Sequence, residues 1–492
     1  ALKAGAPVRL HLSRAESVIA GTKRSPMAIR MKTACDGDGR LIAQEVEVIA
    51  DAGAYASLSP GVIETALEHA AGPYRIAHLR TRGRLAYTNN GTCGAFRGFG
   101  ANQMNYAVEC QIDRLAALAG LDPVAMRRLN LRAPGDPGYL GQRIAPSERL
   151  AEVLDIAAAS PLWSPPVAGG EWVEGTGMSL SWQGNGLGTL PPDEGAGEIR
   201  LAADGMIEIL SGLDEMGQGL HASLMAAVAD RLGCARADVR PVTGDTGAAP
   251  DSGSTTASRG GYVVWKIVDL TAPGFIAALL AAAAPLLSRA TEELRIVPGG
   301  IGFAGANDGP AIGFADLART LVPRGLPAER AAFAFPKTEY TAGNARYIFA
   351  AATTLARVAV SRITGELRVL DLHLHTAAGP VIDVASYLGQ MEGGAVQGLG
   401  FSLTEDAAMR DGLYLTRNFD GYAMPSVRDA PRRMVVTARE DLDPGDPYGP
   451  RGAGELGIAG VTPAIANAVA DATGHWPVSS PFSPETLLRG LS

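Results

Sequence analysis

The chain has 492 residues, 47% of them hydrophobic and 19% charged, which is ordinary for a globular protein large enough for two or more domains. Its net charge of −8 argues against nucleic acid or an acidic membrane surface as a partner. The four cysteines form no CxxC pair, which argues against an iron–sulfur cluster or a structural zinc site in this chain and favours a reducing, cytoplasmic compartment.

Three turn signals predict β-hairpins along the chain. The first hairpin runs from Met31 to Ala50 and turns at Asp36-Gly37-Asp38-Gly39. The second runs from Gly197 to Leu210, and the third from Leu355 to Leu372, where Val358 and Val360 face Leu367 and Val369. Long helical patterns separate these strands, so the sequence predicts an α+β fold.

Two helices follow one another after the first hairpin. Asn102 to Leu118 has helical spacing, with Val108, Ile112, Leu115 and Leu118 on one face, and Asp122-Pro123 begins the next helix. A later apolar run, Phe275 to Leu287, contains Pro285 and is too short to span a bilayer, so we predict a buried helix there.

The domain boundaries are predicted from composition. Residues 132–146 are rich in Pro, Gly and charge, so we place the first domain at residues 1–138, a connecting segment at 139–166 and the second domain at 167–492. The chain begins with Ala1 and enters strand-like sequence at Pro7. We therefore expect the start of the protein to be missing or to lie on another chain.

Four glycine-rich segments interrupt these regular elements. In Gly94–Gly100, the N–H groups before a helix bind anions and Arg97 could add a bidentate clamp, or the loop is structural, with Arg97 in a surface ion pair. In Glu215–Gly219, Gln218 presents an amide to a ligand or belongs to a capping turn. The small and hydroxyl residues Ser252–Ser258 suit a polar cofactor or form a surface loop. Gln390–Gly400 predicts a glycine-rich helix packed closely against a flat group or another helix.

A single carboxylate, Glu455, stands in a fifth glycine-rich segment, Gly452–Gly457. Thr462 and Pro463 predict the N-cap and first residue of an apolar helix directly after it. A carboxylate packed against such a helix is poorly solvated and therefore a stronger base. The alternative is a turn whose glutamate points to water.

Other common catalytic motifs do not match the sequence. It contains no P-loop and no Rossmann fingerprint with its downstream acid. The seven histidines form no HExxH pattern, and no Ser-His-Asp assignment is supported. His373 and His375 share a strand face, where we interpret them as satisfied polar residues rather than metal ligands.

Taken in order, the glycine-rich segments resemble the molybdenum-binding subunit of the xanthine dehydrogenase/aldehyde oxidoreductase family. Five motifs in the family's order over nearly the whole chain are more specific than any one of them. They are Gly94–Gly100, Glu215–Gly219, Ser254–Ser258, Gln390–Gly400 and Gly452–Glu455, and Asp122–Leu131 resembles the family's helix end after the first motif.

The resemblance implies a fold, a cofactor and partners. It implies two molybdopterin-binding domains, the first lacking its N-terminal part, that bind molybdenum on a molybdopterin, in bacteria usually with a cytosine dinucleotide tail. Members hydroxylate an electron-poor carbon of an N-heterocycle or an aldehyde with oxygen from water. Because this chain lacks cysteine motifs and a flavin fold, a [2Fe–2S] subunit and an FAD subunit are implied partners, besides the missing upstream segment.

The resemblance also assigns roles to particular residues. The glutamate matching Glu455 is the general base that activates the water-derived oxygen. The residues matching Arg97 and Ala257 lie beside the metal without being side-chain ligands, and the one matching Phe99 stacks on planar substrates. The remaining positions implied to bind the cofactor are Phe96, Gly98, Gly217, Gln218, Gly219, Thr255, Thr256 and Ser258.

Several departures from the family bear on the substrate. Thr65 occupies the substrate position where purine-oxidising members carry an arginine, and the loop Gln183–Leu190 lacks their second stacking phenylalanine. The upstream glycine–phenylalanine segment is absent. We therefore expect a less oxygenated N-heterocycle or an aldehyde rather than xanthine. The alternative is a non-catalytic relative that binds cofactor or partner chains, which the retention of Glu455 and Arg97 disfavours.

Overall fold

The computed structural model describes residues 1–146, 149–165, 170–189, 192–306, 309–340 and 343–491. The helices are α1 (Arg14–Ala20), α2 (Ser59–Glu68), α3 (Ala101–Ala119), α4 (Pro123–Asn130), α5 (Leu150–Ala158), α6 (Leu220–Leu232), α7 (Gly260–Leu287), α8 (Phe314–Leu321), α9 (Val384–Leu403), α10 (Leu456–Ala459), α11 (Val461–Thr473) and α12 (Pro484–Leu491).

The strands form six sheets among the described residues. They are β1 (Lys23–Arg24), β2 (Met27–Cys35), β3 (Leu41–Gly53), β4 (His78–Tyr87), β5 (Cys93–Gly94), β6 (Trp172–Asn185), β7 (Glu194–Leu201), β8 (Ile207–Ser211), β9 (Val239–Thr243), β10 (Leu294–Val297), β11 (Gly300–Phe303), β12 (Ile312–Gly313), β13 (Ala328–Ala334), β14 (Ile348–Ser361), β15 (Leu367–Ala377), β16 (Met409–Arg410), β17 (Leu413–Tyr414) and β18 (Arg433–Arg439).

The N-terminal sheet has the order β2-β3-β4 and one buried face. The predicted hairpin β2–β3 is confirmed, and Asp36 closes its turn by accepting hydrogen bonds from the N–H groups of Asp38 and Arg40. Val46 and Val48 on the inner face belong to the same core cluster as residues of α3. This core continues into β6 and β14, so it crosses the predicted connecting segment. The predicted boundary at residues 166–167 lies outside the described residues.

Two larger sheets form the rest of the chain. The sheet β18-β15-β14-β6 contains the predicted third hairpin, with Val358 opposite Val369 and Val360 opposite Leu367 as expected. Helix α11 lies directly on β6, where a Cβ at Gly177 would come within 2.1 Å of the α11 backbone. The sheet β13-β7-β8-β9 contains the second predicted hairpin and packs against α6 and α7.

Helix α7 differs from the buried helix that was predicted at Phe275–Leu287. It is the one described helix that is long and apolar enough to cross a membrane by length and composition. Phe275 and Leu279 lie in the core beside β7 and β8, whereas Leu270 and Leu286 are exposed. The helix is therefore buried along one face rather than throughout, and it extends fifteen residues further towards the N-terminus than the apolar run from which it was predicted.

Two local predictions were wrong. Leu118 does not share the buried face of α3 but is 83% exposed, because the helix runs past the end of the core there. Thr462 is not an N-cap. The short helix α10 leads almost directly into α11, Gly460 takes the cap position, and the Thr462 hydroxyl accepts a hydrogen bond from Ser402.

Candidate active site

The five glycine-rich segments meet around one cavity of about 710 Å³. Each segment leads into a helix or lies within one, and the cavity lies where the helix starts converge. Its wall includes Ala95, Phe96, Arg97 and Phe99 before α3, Met216, Gly217 and Gln218 before α6, residues 255–261 at the start of α7, Gln390 on α9 and residues 450–455 before α10. Segments predicted separately from sequence thus form a single site.

Glu455 is half-buried on the wall of this cavity, and three groups donate hydrogen bonds to its carboxylate. The backbone N–H of Gly98 donates to Oε1 at 3.1 Å, and the Gln183 amide donates to Oε2 at 3.2 Å. The Ser258 hydroxyl donates to Oε2 at 3.0 Å and is 3.1 Å from the Glu455 backbone nitrogen. These contacts fix the carboxylate in one orientation, and they exclude the alternative of a glutamate that simply points to water.

Arg97 holds the backbone of two neighbouring segments. Its Nε–H donates to the carbonyl of Gly454 at 2.5 Å, and Nη2 donates to the carbonyl of Gln390 at 2.8 Å. Burial lowers the pKa of Arg97, and the nearby Glu455 carboxylate opposes that shift. Nη1 has no hydrogen-bond partner among the described residues. The structure therefore shows neither a surface ion pair nor a free two-pronged anion clamp, but a backbone-anchored cation with one nitrogen still able to donate.

Backbone strain is concentrated on the cavity wall. Phe99, Ala257 and Ser258 have positive φ angles of 46°, 52° and 47°, a left-handed conformation that is costly for residues with a side chain. A Cβ at Gly452 would lie 1.3 Å from the carbonyl oxygen of Ser258, so the backbones of the two segments are in direct contact at this point. The left-handed residue Ser258 directs its hydroxyl towards Glu455, and this conformation could not be predicted from the sequence.

The segment before α6 is held by its own side chains. The Gln218 amide accepts from the N–H of Met216 at 2.6 Å and donates to the carbonyl of Asp214 at 2.7 Å. Glu215 caps the helix, and although burial opposes it, the N–H groups of His221, Gly217 and Gly219 lower the pKa of Glu215. Gly217 and Gln218 line the cavity, while Gly219 is the N-cap of α6. The structural alternative of a capping turn is what this segment forms.

Thr65, which was predicted to lie beside the substrate, is not among the described residues that line the cavity. It is 1% exposed, and its hydroxyl accepts a hydrogen bond from Arg346 Nη2 at 3.1 Å. Arg346 in turn pairs with the buried carboxylate of Glu68. The Thr65 side chain is therefore committed to a core network. Leu190, the last residue of the loop that was compared with the substrate-stacking segment, lies outside the described residues.

The interpretation of His373 and His375 as satisfied residues is half right. Each Nδ1 has a hydroxyl partner, Ser160 at 3.4 Å and Thr437 at 2.8 Å, but each buried Nε2 has none in the part of the chain that the structure describes. Burial lowers the pKa of His375 to about 4. Within the described part of the chain, no three His, Cys, Asp or Glu side chains gather closely enough to hold a metal ion.

Sequence reasoning missed the role of Gln183. It belongs to a row of polar residues with period two on the otherwise buried strand β6: Ser179, Ser181, Gln183 and Asn185. Ser179 donates to the carbonyl of Gly460, Gln183 donates to Glu455, and Asn185 exchanges hydrogen bonds with Gly452. Alternating polar residues in a buried strand were the available signal that this face meets a polar backbone segment.

Comparison with known families decides the classification. Residues 161–431 match the family model described as the molybdopterin cofactor-binding domain, and residues 1–131 match a second model of the same description. The chain belongs to the molybdopterin cofactor-binding family. The resemblance to the molybdenum-binding subunits of the xanthine dehydrogenase/aldehyde oxidoreductase family and the α+β fold with two such domains are confirmed. That the first domain lacks its N-terminal part stays a prediction.

Relatives and solved structures cover nearly the whole chain. It is 42% identical over 492 residues to a Bacillus subtilis protein named as a probable xanthine dehydrogenase subunit, and 25% identical over 499 residues to the aldehyde oxidoreductase of Megalodesulfovibrio gigas. The chain spans 65% and 52% of the lengths of these two relatives. Quinoline 2-oxidoreductase from Pseudomonas putida 86 shares the fold with a TM-score of 0.80 at 24% identity, over 98% of this chain and 64% of that one.

The cavity fits a molybdopterin in size and chemistry. A large, polar, phosphate-bearing group needs many short donors and close backbone approach, and residues 255–258, Gly217 and Gly452 provide both. A Cβ at Gly217 would meet nothing within 4 Å, so its backbone faces open space. Arg97 Nη1 adds a cationic donor at the same wall.

Proposed function

We propose that this chain is the catalytic molybdenum-binding component of a hydroxylase that inserts a water-derived oxygen at an electron-poor carbon of an aromatic N-heterocycle or an aldehyde. The observation that carries the proposal is the Glu455 carboxylate, held by three donors on the wall of a cavity that fits a molybdopterin. The molybdenum cofactor, when bound, supplies the two-electron oxidation.

Glu455 serves as the general base in this proposal. Its Oε2 already accepts from Gln183 and Ser258, while Oε1 accepts, among the described residues, only from the N–H of Gly98. A carboxylate oxygen has two lone-pair sites, so Oε1 keeps one free to take a proton from the oxygen nucleophile. The donors on the other oxygen prevent the carboxylate from rotating away, which keeps that lone pair aimed at one place.

The cofactor is proposed to lie along the rest of the cavity. Residues 255–258 and the Gly217-Gln218 pair would hold its polar periphery, with Phe96, Gly98 and Gly219 fixing the surrounding backbone and Arg97 and Ala257 near the metal. We propose the cytosine dinucleotide form, because the wall continues from Glu455 past Met216 to Ser223 and Ser386, further than a compact group requires.

Partner subunits complete the electron path in the proposal. Cys93, Cys110 and Cys234 are buried singly, which leaves this chain without a cysteine set for a cluster. We therefore propose a [2Fe–2S] subunit and an FAD subunit, in keeping with relatives named as a xanthine dehydrogenase subunit and as the gamma subunit of a 6-hydroxypseudooxynicotine dehydrogenase complex. We propose a cytoplasmic location, because all four cysteines are free.

The substrate class rests on Phe99. Its ring lies on the cavity wall and is available to stack on a planar heterocycle, which slightly favours a heterocycle over an aldehyde. Burial of Thr65 removes the argument that this residue disfavours purines. The Bacillus subtilis relative carries the name of a xanthine dehydrogenase. Xanthine is therefore the competitor that the assay must include.

The test begins with metal analysis of the purified complex and mass spectrometry of its pterin. Competition assays then compare kcat/KM for xanthine, an unsubstituted N-heterocycle and an aromatic aldehyde. We expect stoichiometric molybdenum and the highest kcat/KM for the heterocycle. If xanthine has the highest kcat/KM, the substrate proposal is overturned, but the proposed reaction is not. Molybdenum without turnover on any of these compounds would instead favour a non-catalytic cofactor-binding relative.

A further inference from the structure

The guanidinium of Arg24, from the short strand β1, packs against two phenyl rings at the edge of the active site. Its Cζ lies 4.8 Å from the centre of the Phe96 ring and 4.7 Å from the centre of the Phe401 ring. The two rings meet edge to face, with centres 5.7 Å apart. Phe96 precedes Arg97, and Phe401 lies on α9, the helix that carries Gln390. Arg24 thus contacts both the loop that carries Arg97 and the helix whose Gln390 carbonyl accepts a hydrogen bond from the Arg97 side chain.

Arg24 also bonds directly to the backbone of the active-site loop. Its Nη2 donates to the carbonyl of Arg97 at 2.7 Å, and the Asn102 amide donates to the same oxygen at 3.1 Å. The peptide that follows this carbonyl carries the N–H of Gly98, which donates to Glu455. A guanidinium that holds one end of this peptide therefore determines where the other end points.

No carboxylate forms an ion pair with Arg24 among the described residues. Burial lowers the pKa of Arg24 to about 10, while Glu455, Tyr422 and Glu405 oppose the shift and Arg97 adds to it. An apolar side chain would fill a niche between two phenyl rings without this desolvation cost. Burying a guanidinium here costs more desolvation free energy than packing alone would require, which indicates a role in the adjacent site.

We propose that Arg24 is a positioning residue of the active site, which fixes the conformation of residues 96–98 and thereby the Arg97 side chain and the Gly98 N–H that holds Glu455. The expected effect on loop conformation follows from the contacts of Arg24 with the two phenyl rings and the Arg97 carbonyl. The expected effect on turnover also rests on the proposed function, so the experiment measures loop conformation and turnover separately.

The first readout is hydrogen exchange, measured by mass spectrometry on the assembled protein over a peptide spanning residues 94–103. We compare wild type, Arg24→Ala and Arg24→Lys with the control Arg368→Ala. Arg368 places its Cζ 4.3 Å from the centre of the Trp172 ring, is 56% exposed and lies outside the cavity wall. We expect Arg24→Ala to exchange at least about tenfold faster in this peptide, Arg24→Lys to be intermediate and the control to match wild type.

The second readout is chemical rescue. Arg24→Ala leaves a niche between two rings and a carbonyl, and guanidinium ion at non-denaturing millimolar concentration should occupy it, slow the exchange and restore turnover. Tetramethylammonium, which cannot donate to the carbonyl, should restore neither. Arg368→Ala should not respond to either ion.

The outcomes separate the two proposals. Unchanged exchange in both Arg24 variants would overturn the positioning role, whatever the turnover. Faster exchange that guanidinium reverses, in a protein whose wild type shows no turnover on any substrate, would support the positioning role and count against the proposed function. If Arg24→Ala does not fold, wild-type exchange and wild-type kcat in Arg24→Lys would overturn the proposal.

Discussion

Two arginines in this protein, one fully buried and one half-buried, have opposite surroundings. Arg127, on α4, is fully buried and pairs with the carboxylates of Glu109 and Asp113 on α3. Although burial opposes it, these carboxylates hold the pKa of Arg127 well above its usual range. Arg97 bonds instead to two backbone carbonyls, keeps Nη1 without a partner among the described residues, and has a lowered pKa because of burial.

The difference shows how structural and functional cations can be told apart. Arg127 also donates to the carbonyls of Pro123 and Met178, and Glu109 accepts from Tyr74 and from the N–H of Leu180. Every partner is internal, so that network has no capacity for a ligand. Arg97 is anchored by backbone groups that carry no net charge, which leaves its charge directed at the cavity.

The largest expected effect comes from breaking the internal network. Arg127→Met leaves Glu109 and Asp113 buried without their cation, and we expect it to lower the free energy of unfolding by roughly 3–5 kcal/mol. Urea unfolding followed by circular dichroism measures this. Arg128→Met is the matched control, because Arg128 is half-exposed and pairs with the exposed Asp155, so its loss should cost less than about 1 kcal/mol. Equal losses in the two variants would contradict the distinction.

The next effect concerns turnover alone. Glu455→Gln keeps the size of the side chain but removes the proton acceptor, so we expect turnover to fall on the order of a hundred-fold or more, with molybdenum content and unfolding free energy near wild type. Steady-state kinetics, metal analysis and urea unfolding measure the three quantities. Glu392→Gln, on the exposed side of α9, is the control and should leave all three unchanged. Turnover of Glu455→Gln within a few-fold of wild type would rule out the base.

The variant Arg97→Lys tests whether the Arg97 guanidinium matters for turnover rather than for stability. A lysine keeps the charge but cannot bond in the plane of a guanidinium to Gly454 and Gln390 together. We expect kcat to fall about tenfold or more and cofactor content to fall with it, while the unfolding free energy changes by less than about 1 kcal/mol. A stability loss as large as that of Arg127→Met would place Arg97 in the structural class instead.

The smallest expected effect concerns two histidines that are buried but lie outside the cavity wall, and it is an effect on stability. The buried Nε2 atoms of His373 and His375 have no hydrogen-bond partner within the described ranges, and neither residue is among those that line the cavity. The folded pKa of His375, about 4, is below the unfolded value, so the stability it contributes is present above pH 6.5 and is lost as pH falls towards 4. We expect a loss of roughly 1–2 kcal/mol between pH 7 and pH 5.

His375→Asn should flatten this pH dependence, whereas His78→Asn, at an exposed position on β4, should not. Urea midpoints measured at four pH values would show it. If His375→Asn retains the wild-type slope, the neutral buried imidazole is not its source.

The sequence predicted the local structure better than the site. All three hairpins and the helices at Asn102 and Leu220 follow from short-range periodicity and turn residues, and the structure contains them. That five segments line one cavity followed only from their family order, because no local pattern brings Arg97 to Gly454. The burial of Thr65 could not be predicted, since it depends on Arg346, which lies 281 residues away in the chain. Gln183, in contrast, was missed although the alternating polar residues of β6 were an available signal.

The three donors to Glu455 also set a limit on when the site can exist during synthesis. They lie 357, 272 and 197 residues before it in the chain. Closing loops of this length is slow compared with forming a helix or a hairpin, so the Glu455 carboxylate should become ordered late in folding. A ribosome-bound chain that has emerged from the exit tunnel only as far as β18 would contain all of the described strands but not Glu455. Residues 450–455 also form part of the cavity wall, so the cavity would be complete only after this segment has left the ribosome.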